Sequence, residues 1–401
     1  MRPADTRPPF AGLANLSETA LAALPTPCYL LDEAQLRRNG EILLGVQQRT
    51  GCRILLAQKA FSNFNVYPVL APYLAGTEAS GLYESRLGRE ELPEKENHVF
   101  CAAYRTDEFE ELLQYADHIV FNSPSQLAKF GPAAKAAGKS IGLVPTMGAL
   151  HEGHGSLITA ARKENELVIV SVFVNPTQFG PGEDLEAYPR TLEADCILAG
   201  KMGADIVFAP AAKEMYPSAD MTWVEVTGDI TKVLCGRSRP IHFRGVTTVV
   251  SKLFNLAQPD RAYFGQKDAQ QVQVIKRMVK DLFFNVQLRI MPIVREADGL
   301  AKSSRNTYLS QEERTAGLIL SKSLRYAEEL FKQGERDSSR IAAETAKLIG
   351  SEPLSEIDYV EIYELPDLKP VAGDITGSCL LAVAVRFGTT RLIDNVILEV
   401  E

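Results

Sequence analysis

The apolar positions of this chain alternate between two periods. Residues 33–50 carry Leu36, Ile42, Leu43 and Val46 on one helical side, while 28–31 and 53–57 read as short apolar strands. Strand and helix then alternate to about Phe121, which predicts an α/β architecture. Residues 1–25 read as a leader with one short helical pattern, and 124–139 are alanine-rich with helical character. A β-type run over 140–144 leads into Pro145-Thr146-Met147-Gly148, followed by a helix over 155–164 and a buried strand over 167–174. Further βα units follow through 205–209, 255–264 and 270–280, predicting a parallel sheet. After about Val294 the texture changes. Ser310, with Glu313 three residues on, predicts a capped helix. A second helix over 337–348 and strands over 357–363 and 380–387 then complete a small α+β domain.

Length and charge narrow the classes. A chain of 401 residues implies two or three domains. Apolar residues at 45% and charged residues at 23% are ordinary for a globular protein. A formal charge of −8 argues against a nucleic-acid partner. Six scattered cysteines form no CxxC pair and offer no zinc-ligand spacing, so a disulfide framework is not expected. The first ten residues hold three prolines and no apolar signal-peptide core, and the run over 167–174 is too short to span a bilayer. A cytoplasmic protein with no membrane partner is expected.

Four clusters carry candidate chemistry. In Met147-Gly148-Ala149-Leu150-His151-Glu152-Gly153-His154 a strand passes into a helix, where open parallel sheets bind ligands and free amides suit phosphate. His151 and His154 fall on one side of a helical turn, and Gly153 opens the backbone to close approach. Lys302-Ser303-Ser304-Arg305-Asn306 offers two cations and two hydroxyls to a leaving pyrophosphate. Gly265-Gln266-Lys267-Asp268, followed by Gln271, sits after a predicted strand and offers a phosphate contact and a substrate amide. Asn175 and Gln178, in the turn after the buried strand, have amides suited to hydroxyls and carboxylates. Each cluster alone also reads as an ordinary turn, cap or solvated loop. Their grouping at strand ends and at a domain boundary is what an interdomain nucleotide site requires.

From about Lys139 to Glu401 the chain resembles the bacterial pantothenate synthetases, through PTMGALHEGH, FVNPTQF, AYPRT, HFRGV, FGQKDAQQ, IVREADGL and SSRN in the family's order. The resemblance implies a Rossmann-like nucleotidyltransferase domain over 139–293 that dimerises, and a C-terminal lid domain over 294–401. It implies ATP-dependent joining of pantoate to β-alanine through a pantoyl adenylate, with Mg²⁺ on the phosphates. Met147–His154, Gly265–Asp268, Val294 and Lys302–Arg305 carry over as ATP contacts. His154 carries over as the family's proton donor, although both histidines suit hydrogen bonding to charge developing on phosphate. Gln178 carries over as a contact for pantoate and β-alanine, and Gln271 as a second pantoate contact. Lys302 departs from the apolar residue expected before SSRN and offers a further phosphate contact.

Residues 26–138 resemble the start of carboxynorspermidine decarboxylase, a pyridoxal-phosphate barrel enzyme, through TPCYLLDEAQLRRN, CRILLAQKAFS, LYESRLGREE, AYRTDEFEELL and DHIVFNSPSQL. Lys59 falls on that family's Schiff-base lysine. Only the first third of the barrel is present, so pyridoxal phosphate is not expected. A fusion junction near 139–143 is expected, with the synthetase's own first strand and helix lost. The alternatives are another H-x-G-H nucleotidyltransferase, or a chimera without activity.

Overall fold

The computed structural model describes residues 17–123, 125–127, 129–130 and 140–400, and its chain divides into two compact units, Met1–Val120 and Phe121–Glu401. Most of the alanine-rich stretch and Lys139 lie outside the described residues, as does the leader up to residue 16.

The first unit alternates as expected. Helix α1, Glu33–Thr50, matches its predicted range; Asp32 caps its start and Gly51, at φ 72°, ends it. Strands β1 (Leu55–Ala57), β2 (Gly76–Ala79), β3 (Glu96–Phe100) and β4 (His118–Phe121) pair in parallel in chain order. Helix α2, Leu82–Glu91, connects β2 to β3. Residues 28–31 form no strand: Tyr29 is fully exposed and the segment joins no ladder, so its apolar run has nothing to pack against. Lys59 lies two residues after β1, with its Nζ 3.7 Å from Glu78.

The second unit holds a parallel sheet of β5 (Ile141–Thr146), β6 (Leu167–Val172), β7 (Ile206–Phe208), β8 (Arg261–Gly265) and β9 (Gln287–Met291), in the order β7-β6-β5-β8-β9. The chain moves outward from β5 to β7, then returns to β8 on the other side of β5. The switch point of the sheet therefore lies between β5 and β8, where ligands bind beyond the strand ends. Helices α3 (Glu152–Glu164), α4 (Leu192–Lys201), α5 (His242–Ala257) and α6 (Ala269–Asp281) complete this layer. Leu157, Ile158 and Ala161 of α3 pack on Val144, Val168 and Val170.

The C-terminal part follows from its patterning. Ser310 and Glu313 form the expected capping box of α7, Gln311–Gly317. Helix α8, Ile319–Lys332, buries Leu320, Leu324, Ala327 and Phe331, one stripe at helical spacing. Asp337 caps α9, Ser338–Gly350. The antiparallel sheet is β11 (Lys369–Pro370), β10 (Ser355–Glu364), β12 (Cys379–Phe387) and β13 (Thr390–Leu398). Strand β12 is apolar on both faces. Cys379, Leu381, Val383, Val385 and Phe387 pack with α8 and α9, while Leu380, Ala382 and Ala384 pack on Leu234, Phe243 and Val274 of the parallel-sheet layer. Each large buried aliphatic side chain stabilises by roughly 1.5–3 kcal/mol, so the C-terminal sheet is joined to the parallel-sheet layer by a core.

Among the described residues no helix is long and apolar enough to cross a membrane, and all six cysteines are free.

Candidate active site

The turn after β5 is held in an unusual backbone conformation. Gly148 has φ 81° and Ala149 φ 49°, the second rare for a residue with a side chain. The device that holds it is Asp195 of α4, only 2% exposed. Its carboxylate accepts from Ala149 N at 3.0 Å and Leu150 N at 2.7 Å, and from Thr191 Oγ1 at 3.2 Å. These two amides, expected from the sequence to face ATP, are thus given to Asp195. The sequence reading missed this residue; its only sequence-level trace is a carboxylate in the first turn of a helix, too common to single out.

The histidines are more tightly defined than one helical face implies. His151 is the N-cap of α3, and its Nδ1 accepts from Gly153 N at 3.2 Å. His154 Nδ1 accepts in return from His151 N at 3.3 Å. Both rings use Nδ1 as acceptor, so when neutral both carry the proton on Nε2 and have a donor left over. The ring centroids are 4.1 Å apart. Burial lowers His151 to about 4, helped by Lys267 and Lys302. Burial lowers His154 to about 3, helped by His151 and Lys267. Both are neutral at pH 7. A Cβ on Gly153 would lie 2.9 Å from His151 Cε1, so this glycine makes room for the His151 ring.

The cations of the other two clusters converge here. Lys267 follows β8, across the switch point from His151. Lys302 donates to Glu152 at 2.8 Å and is held above the ordinary lysine range by that hydrogen bond. Its backbone N donates to Val294 O at 2.9 Å, which fixes the loop entry. Arg305 is held by both oxygens of Asp184, at 3.0 and 2.8 Å, and Ser303 Oγ accepts from Arg305 N at 3.3 Å. Ser304 Oγ lies 3.4 Å from the Tyr188 hydroxyl. Asn395 of β13 donates to Gln266 O at 3.0 Å and Lys267 O at 2.9 Å, so the C-terminal sheet positions Lys267.

Lys267, Asp268, Gln271, Ser303 and Arg305 line one cavity of about 910 Å³, with His242 and Arg239. Gln266 lines a different, smaller cavity. Gln178 is buried, and its Nε2 contacts Met147 Sδ at 2.8 Å. Its Oε1 accepts from Asn175 Nδ2 at 3.0 Å. Asn175 itself is consumed: Oδ1 accepts from Tyr216 at 2.8 Å and Thr177 Oγ1 at 2.9 Å, and Nδ2 also donates to Gly245 O at 3.1 Å. In this geometry Asn175 orients Gln178. His242, not singled out by the sequence reading, lies 3.0 Å from Gln178 O through Nδ1 and 3.3 Å from Arg239 through Nε2. Burial lowers it to about 4.

Residues 119–397 match the family described as pantoate-beta-alanine ligase. The pantothenate synthetase of Acetivibrio thermocellus is 58% identical over 281 residues, covering 70% of this chain and 99% of its own. That of Moorella thermoacetica is 59% identical over 268 residues, covering 67% and 94%. The crystal structure of a Thermus thermophilus pantothenate synthetase is 43% identical, with a TM-score of 0.66 over 70% of this chain and 99% of that one. A Francisella tularensis pantoate-beta-alanine ligase complexed with an ATP compound and β-alanine is 32% identical, with a TM-score of 0.57 over 71% and 99%. The match opens inside β4, ahead of Lys139, and reaches nearly the full length of these relatives. The match thus begins ahead of the junction expected near 139–143, within β4, and most of 124–139 lies outside the described residues. The chain is an enzyme of the pantoate–β-alanine ligase family.

Proposed function

We propose that this enzyme condenses pantoate with β-alanine at the expense of ATP, through a pantoyl adenylate. In the first step a pantoate carboxylate oxygen bonds to the α-phosphorus, and the bond from that phosphorus to pyrophosphate breaks. In the second the β-alanine amine bonds to the acyl carbon, AMP leaves with the carbon–oxygen electron pair, and the amine proton passes to solvent.

The observation that carries this reading is that His151 and His154 both accept backbone amides through Nδ1, beside Lys267 and Lys302, which leaves their Nε2 atoms free to donate when the rings are neutral. Two fixed N–H donors and two cations stabilise charge developing on phosphate oxygens, and a low-dielectric setting strengthens both. Neutral rings with such low pKa values act as hydrogen-bond donors, and not as imidazolium acids. Arg305, Ser303 and Ser304 serve the departing pyrophosphate. Gln178 and Gln271 serve the hydroxyls and carboxylate of pantoate. Among the described residues no grouping of His, Cys, Asp or Glu at this site is close enough to hold a metal. Nearby Asp184 is already paired with Arg305. In this reading Mg²⁺ enters on the phosphates of ATP as part of the substrate. Cytoplasmic location and a homodimer belong to the same reading.

Isotope exchange between pyrophosphate and ATP tests the intermediate. Exchange is expected with pantoate alone and without β-alanine. Exchange that demands β-alanine contradicts a free-standing adenylation step. Sedimentation at micromolar concentration tests the dimer.

A further inference from the structure

The first unit contains a second histidine cluster that plays no part in the ligase chemistry. Glu96 and His98 lie two apart on β3 and so face the same side of the sheet. On the next strand the parallel register sets His118 beside His98. One ligand atom from each of the three side chains lies within 4.8 Å of the other two. His98 Nε2 is 3.0 Å from Glu96 Oε2, and the two imidazole centroids are 4.3 Å apart. On the other side of β3 the register sets Glu78 beside His98, and Glu78 Oε1 is buried with no hydrogen-bond partner.

We propose that Glu96, His98 and His118 bind a divalent first-row transition cation of the Zn²⁺ class.

Several features support the assignment. Two imidazoles and a carboxylate are a donor set suited to such ions, with distances of about 2.0–2.2 Å for zinc. Positions i and i+2 of one strand with a facing position on its neighbour converge on one point above a sheet. Arg53 contacts Glu96 at 2.5 Å and Lys59 lies 3.7 Å from Glu78. These two cations partly offset the negative charge of the carboxylates, and their long side chains can swing away when an ion binds. Glu96, His98 and His118 all lie ahead of residue 119, outside the family match.

The test is equilibrium dialysis of the full chain, stripped of metal, against Zn²⁺, with Co²⁺ absorption as the coordination readout. One equivalent is expected, with a four-coordinate Co²⁺ spectrum. His98→Ala and His118→Ala are each expected to weaken it about 100-fold or more. His151→Ala is expected to retain it. Unfolding of the alanine variants is checked by circular dichroism. Where they do not fold, Glu96→Gln keeps size and hydrogen bonding and is expected to weaken Zn²⁺ about tenfold and change the Co²⁺ spectrum. Absence of a bound equivalent in the wild type overturns the proposal. So does unchanged binding in a folded His98→Ala or His118→Ala variant, or in Glu96→Gln.

Discussion

Two pairs of imidazole rings in this chain have similar spacing, 4.1 Å for His151 and His154 and 4.3 Å for His98 and His118, yet suit ligands of opposite charge. The difference lies in the neighbours. At the first pair, backbone amides occupy both Nδ1 atoms, and Lys267 and Lys302 supply positive charge, so the remaining N–H groups suit an anion. At the second, Glu96 supplies negative charge, which attracts a cation to the same ring chemistry. A helix N-terminus makes one pair donors; a strand face with carboxylates makes the other ligands. Histidine count or spacing alone does not distinguish them.

The comparison is broken first at the anion site. His154→Ala and Lys267→Ala are each expected to remove about 2–4 kcal/mol of transition-state stabilisation, a loss of roughly 30- to 1000-fold in kcat/KM for pantoate. Wild-type turnover in either variant contradicts the role of the pair. Next comes the residue that holds the turn. Asp195→Ala leaves the Ala149 and Leu150 amides without their acceptor, and is expected to cost about 1–3 kcal/mol in urea unfolding along with most of the activity. A fully active, fully stable variant sinks the account of that turn. Smaller again is Gly153→Ala. The added methyl meets the His151 ring at 2.9 Å, so the ring shifts at a cost of about 1 kcal/mol, and turnover is expected to fall roughly tenfold with little change in melting temperature.

The smallest effect is on pH dependence. The histidines titrate near 4 and 3 when folded, below their ordinary value of 6.5. Between those limits the unfolded chain binds more protons than the folded one, so stability rises with pH. Their contribution is complete above about 6.5 and is lost as pH falls toward 4. Activity at saturating substrate is expected to hold through about pH 6 and to fall only as the rings charge near 4. A midpoint near 6.5 that disappears in His151→Ala contradicts neutral donors.

Much of this was legible in the chain. Helix α1 and the Ser310 cap have strong local signals, and both strand-end motifs fall at the switch point because a βα pattern fixes where phosphate loops lie. Other elements had no local signal. Strand β13 interrupts its apolar pattern with Arg391, Asp394 and Asn395, and these are partnered: Asp394 accepts from Arg295 at 2.6 Å and Asn395 holds the Lys267 loop. Asp195 reaches across 45 residues to Leu150, a tertiary contact no window contains. The Glu96, His98 and His118 cluster was invisible for the same reason, since it forms only when β3 and β4 pair in register. Its signal, two ligands at strand period and a third one strand on, differs from the helix and loop spacings by which metal motifs are usually read.

The most direct test of the account is the stoichiometry of AMP and pantothenate formed by the full-length enzyme from ATP, pantoate and β-alanine, beside His154→Ala. Equal amounts of the two products, dependent on both acids and reduced at least about 30-fold in the variant, are the predicted result. No AMP from folded wild-type protein, or equal rates in the two proteins, would contradict it.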